Sequence, residues 1–89
     1  MSLKLQEITI NQLRRFRKKR NLRQRDVSGL VGISEVKSIN RWEKGERTPN
    51  LINALKLSYA LDCPIEILFL KQFNQIRKEM HNRKQVIKN

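Results

Sequence analysis

The chain has 89 residues, of which 20 are Lys or Arg and 8 are Asp or Glu, giving a formal charge of +12. A domain this short buries only about 60% of its unfolded surface, which argues against an enzyme with a deep pocket. Its 38% hydrophobic content suffices for a modest core and is too high for a disordered polycation, so the charge points to an anionic partner, nucleic acid first. The longest apolar run, residues 67–70, is far below the ~20 residues of a membrane span, and the amino end lacks the apolar centre of a signal peptide. A cytoplasmic chain with no membrane association is expected, nucleoid-associated when bound to DNA. The lone Cys63 reads as a small buried hydrophobe and His81 as solvated, so no metal or cofactor is expected.

β-Branched alternation is too sparse for a sheet, and the chain parses as four or five helices separated by tight turns. Residues 1–8 form either an arm on DNA or a disordered lead. Thr9 and Gln12 have the spacing of a capping box, with Ile8 and Leu13 as a hydrophobic staple, so the first helix starts near Ile10. Its inward positions are Ile10, Leu13 and Phe16, and Asn21 ends it. The second helix runs from about Arg23 to Val31, with Val27, Leu30 and Val31 inward and Gly32 as the left-handed stop. Ser34 is the expected cap of the third, which continues to about Lys44 and buries Ile39 and Trp42 before Gly45. The fourth opens with Thr48 as cap and Pro49 at the first helical position and reaches Leu61. Leu51, Ala54, Leu55, Leu57 and Leu61 leave only Asn53 and Lys56 outward, making this helix the centre of the core. The last helix starts near Pro64 and meets no breaker before Asn89.

The second helix, the turn at Gly32 and the third form a helix-turn-helix, whose second helix can fill a major groove. Arg17, Leu22, Gln24, Val27, Gly32, Ile39, Trp42, Glu43, Gly45 and Pro49, followed by Leu51 through Leu61, form an ordered set that resembles the Cro and lambda-repressor-like (XRE-type) family. The resemblance spans about residues 10–69. It implies an all-α, compact five-helix DNA-binding domain over residues 9–69, with residues 70–89 extending the last helix toward dimerisation and a basic tail.

Three departures stand out. Arg23 occupies the usual Thr or Ser cap position, so the second helix has either a bare amino end or a phosphate contact there. Asp62 replaces a common turn glycine. The spacing from Ser34 to Glu43 is one residue longer than usual, which either lengthens the turn or rotates the third helix by about 100°. The longer turn is favoured, because rotation would bury charge.

With Ile39 inward, Lys37 and Arg41 lie on the opposite face, flanked by Asn40 and Lys44. Lys and Arg suit guanine edges, Asn suits adenine, and Val36 can touch a thymine methyl. A solvated charged face is the alternative reading of the same pattern. The resemblance implies base readers at Val36, Lys37 and Arg41, a phosphate contact from Gln24, and an ion pair between Arg17 and Glu43. It also holds Lys44 and Arg47 beside the sugar-phosphate chain, and Arg23 and Ser34 join the expected phosphate contacts. Arg14, Arg15, Lys18, Lys19 and Arg20 are assigned only to the general positive field.

In the last helix Phe69, Phe73, Ile76 and Met80 step by four, three and four, a coiled-coil seam over about two heptads. Phe73, Ile76 and Met80 either pair two subunits, or Phe69 and Phe73 complete the monomer core with a frayed tail beyond. The leading function is a sequence-specific double-stranded DNA-binding regulator, a repressor that binds a palindromic operator as a homodimer. The alternative is an antitoxin or adaptor that uses the domain and its final helix as a platform for a protein partner such as a toxin. The carboxylates show no paired site, and no glycine-rich phosphate loop or Ser/His/Asp arrangement is present, so no enzyme is expected.

Overall fold

A computed structural model describes residues 11–88 as α1 (Leu13–Lys19), α2 (Gln24–Val31), α3 (Val36–Glu43), α4 (Leu51–Ala60), α5 (Ile65–Leu68) and α6 (Leu70–Lys88), with no strand among them. The all-α architecture is the one the sequence implies. One apolar cluster joins Leu13 of α1, Val27 and Val31 of α2, Ile39 and Trp42 of α3, Leu57 of α4, and Leu61, Cys63 and Leu68 beyond it. Phe16, Leu22, Ile33 and Phe69 pack against its edge. No helix is long and apolar enough to cross a membrane.

The helix boundaries depart from the sequence reading wherever a cap was misassigned. Thr9, Ile8 and Ile10 lie outside the described residues, and α1 starts at Leu13 rather than near Ile10. Asn11 prepares that start: its Oδ1 accepts from the Leu13 amide at 3.1 Å, while its Nδ2 donates to the Trp42 carbonyl at 2.7 Å. Ser34 does not cap α3. Glu35 occupies the cap position without a side-chain hydrogen bond, and Ser34 lies exposed in the preceding turn. Nor does Thr48 cap α4. Asn50 does so, accepting from the Asn53 amide at 2.8 Å, and Pro49 is buried just before it. A side-chain amide two or three residues before the first free N–H serves as well as a hydroxyl, and several such residues compete at each start.

Two faces were placed inward that the fold leaves outside. Leu30 of α2 is 61% exposed. On α4, Ala54 and Leu57 are buried, whereas Leu51 (68% exposed), Ile52, Leu55 and Tyr59 (87% exposed) form an uncovered apolar face. Alternation alone cannot say which part of a nearly all-apolar helix has neighbours, and the short helices α2 and α5 pack against only one side of α4.

The expected single terminal helix is two. Phe69, at φ −116° and ψ 46°, interrupts it, leaving a four-residue α5 that plugs the core with Leu68 and a 19-residue α6 with no buried residue. Phe69 stays partly buried, but Phe73 is 40% exposed and the helix continues through Lys88, so a core completed by Phe73 with fraying beyond Ile76 is not what forms.

Candidate nucleic-acid interface

α2 and α3 are joined by the four residues Gly32, Ile33, Ser34 and Glu35. Gly32 takes a left-handed conformation, φ 82°, that a side chain would disfavour. Ser28 locks the turn from inside: its carbonyl accepts from the Gly32 and Ile33 amides, and its Oγ donates to the Ile33 carbonyl at 2.8 Å. The extra residue is absorbed in this turn. α3 therefore keeps Ile39 and Trp42 buried side by side, and Trp42 is a core residue.

That anchoring decides which way α3 faces. Lys37 and Arg41 are exposed opposite Ile39, Val36 is exposed near the amino end, and Lys44 is exposed where the helix stops. Arg47 is exposed in the following loop, whose backbone folds back on Arg41. Asn40 is only partly exposed, on the flank nearest α2. Four cationic side chains thus meet solvent along one helix and its exit.

Arg17 and Glu43 form the expected ion pair, with Nε to Oε2 at 2.5 Å and Nη2 to Oε1 at 3.2 Å. Their side chains are 11% and 5% exposed. Arg17 also donates from Nη1 to the Leu22 carbonyl at 2.9 Å, which ties α1, the approach to α2 and the end of α3 into one unit. Gln24 joins this group. Its Nε2 donates to Glu43 Oε1 at 3.1 Å and to Asn40 Oδ1 at 3.2 Å.

At the amino end of α2, Arg23 does not leave the helix bare, and its side chain, though largely exposed, is paired with Asp26. Asp26 Oδ2 accepts from the Arg23 amide at 2.8 Å and from its Nε at 3.2 Å, a capping box built on an ion pair. The hydrogen bond from the Arg23 side chain holds the Asp26 carboxyl below the usual carboxylate range.

Arg14, Arg15 and Lys18, which the sequence assigns only to the general positive field, share one concave surface with Gln24, Asn40 and Lys44. Their joint placement follows from how α1 is tied to the end of α3, by Asn11 on the Trp42 carbonyl and by Arg17 on Glu43. No spacing in the sequence announces it, because these residues are separated from Asn40 and Lys44 by more than twenty positions.

A helix-turn-helix family model matches residues 13–68. Over 71 residues the chain is 38% identical to repressor protein C2 of Salmonella phage P22, an alignment that covers 80% of this chain and 32% of that repressor. The chain therefore spans about a third of the length of this relative.

Proposed function

The chain belongs to the helix-turn-helix family of Cro and lambda-repressor-like (XRE-type) regulators, and from that premise we propose that it binds double-stranded DNA sequence-specifically and represses transcription by occupying promoter DNA. The observation that carries this reading is the orientation of α3, with Ile39 and Trp42 anchored in the core and Lys37 and Arg41 facing out. In a major groove these two side chains would meet guanine O6 and N7, and Val36 a thymine methyl. Lys44 and Arg47 would lie against phosphates, which position the domain without reading sequence. A role on DNA places the protein in the cytoplasm, with the nucleoid.

We further propose a homodimer held by α6. A solitary 19-residue helix with no buried face is marginal in water, and Phe73, Ile76 and Met80 line one side of it. In a parallel pair with Phe73 and Met80 at a and Ile76 at d, Glu79 at g of one copy would stand beside Lys84 at e of the other. This charge match favours a second copy. Arg83 falls at the next d position and confines the seam to about two heptads. Two such subunits would present their recognition helices to inverted half-sites about one DNA turn apart.

Selection of bound sites from random duplexes tests the reading. A half-site motif in inverted repeat is expected, and a wild-type chain that enriches no sequence would remove sequence-specific binding.

A further inference from the structure

The hydrogen bonds around Glu43 have a direction, and that direction determines what the chain offers to DNA. An ionised carboxylate can only accept. Glu43 accepts from Arg17 through both oxygens and, at Oε1, from Gln24 Nε2 at 3.1 Å, so the amide of Gln24 must turn its nitrogen inward. The second hydrogen on that nitrogen goes to Asn40 Oδ1 at 3.2 Å. Both N–H groups of Gln24 are then in use. What it has left is Oε1, an acceptor, and a phosphate oxygen is also an acceptor.

Asn40 is set the opposite way. Its Oδ1 is engaged by Gln24, and its Nδ2 takes part in no hydrogen bond among the described residues. The relay from Arg17 through Glu43 and Gln24 therefore ends on Asn40 as a donor. Arg14, Arg15, Lys18 and Lys44 line the same concavity, against which the only unpaired carboxylate in the lining is Glu46. A donor beside several cations suits an anionic oxygen. Reading adenine would require Oδ1 and Nδ2 to face one base edge together, whereas Oδ1, which keeps a second lone pair, is turned toward Gln24 on the partly exposed flank of the helix.

Resting on the DNA-binding reading, we infer that the phosphate contact implied for Gln24 is made instead by Asn40 Nδ2, with Gln24 acting as the positioning residue that turns this amide outward. Asn40 then helps place the recognition helix, and base reading is left to Val36, Lys37 and Arg41.

Asn40→Asp tests this directly, since it keeps an oxygen for Gln24 and replaces the donor with a negative charge. Affinity should fall about tenfold or more, by the same factor on the selected site and on an unrelated duplex at one salt concentration, with selected base preferences unchanged. Asn40→Ala, checked for folding by circular dichroism, should show a smaller uniform loss. Replacing phosphates one at a time with methylphosphonates should reveal one position that penalises the wild type but not Asn40→Ala. Gln24→Ala, which frees the Asn40 amide to rotate, should weaken the sensitivity to that same phosphate. Wild-type affinity in Asn40→Asp, a changed preference at a single base pair, or no phosphate coupled to Asn40 would overturn the inference while leaving the DNA reading intact. A wild type that binds no duplex would overturn both.

Discussion

Glu43 serves two donors at once, and its near-complete burial makes its removal costly. Glu43→Ala would strand the Arg17 guanidinium and the Gln24 amide, and breaking a buried pair from one side costs ~3–5 kcal/mol. The urea midpoint should drop clearly, and Arg17→Met should restore part of the loss in the double mutant. Additive losses in that cycle would show that the two residues are not coupled. Gly32 makes a different demand. A Cβ built there meets nothing within 4 Å, so Gly32→Ala should cost only the left-handed backbone penalty, roughly 1–2 kcal/mol, with the fold retained. Cys63 is buried in the core, and burial pushes its thiol up from the ordinary range. It stays protonated in the folded chain at pH values where the unfolded thiol already ionises, so this burial favours folding below the unfolded pKa and opposes it as pH rises toward the folded one. Labelling by a thiol reagent should therefore be slow in the native protein and fast in urea. Equal rates would place Cys63 at the surface.

At the level of the element, α3 separates reading from positioning. Arg41→Ala or Lys37→Ala should relax preference at defined base pairs, at about 1–3 kcal/mol each where the contact is bidentate, while Arg47→Ala should weaken all duplexes alike. Uniform losses from both classes in competition binding would mean that α3 meets DNA on another face. This orientation was legible in the spacing of Ile39 and Trp42 alone, because burying Lys37 or Arg41 instead would cost far more than lengthening a turn. The starts of α1, α3 and α4 were not legible. Asn11, Glu35 and Asn50 each stand within two positions of a hydroxyl residue able to cap, Thr9, Ser34 and Thr48, and the choice between them depends on where the chain enters the core.

The molecule as a whole measures 49 × 34 × 20 Å, elongated by a 19-residue α6 that would extend about 28 Å at 1.5 Å per residue. Replacing both Phe73 and Ile76 with Glu would place like charges across a symmetric seam and should give a folded monomer with poor operator affinity, as read by sedimentation equilibrium and circular dichroism. A double mutant that remains dimeric would move the interface, and the face of Leu51, Leu55 and Tyr59 on α4 is where it would go. The net charge of +12 predicts a further property of the whole particle. With six to ten phosphates neutralised, affinity should fall ~10³ to 10⁵ between 50 and 200 mM salt, and a nearly flat dependence would remove DNA as the main ligand.

Charge, the Arg17-to-Pro49 motif and the three-residue step from Ile39 to Trp42 were enough to determine the helical class, the turn at Gly32 and the outward cations of α3. Each depends on local geometry or on a charge that cannot be buried unpaired. Only the packed chain decided the rest. It turned Leu30, Leu51 and Tyr59 outward, broke the last helix at Phe69, gathered Arg14, Arg15 and Lys18 beside Lys44, and set the hydrogen-bond direction from Glu43 to Asn40. Those outcomes depend on which surfaces meet across long stretches of sequence, and neither helical period nor residue type carries that information.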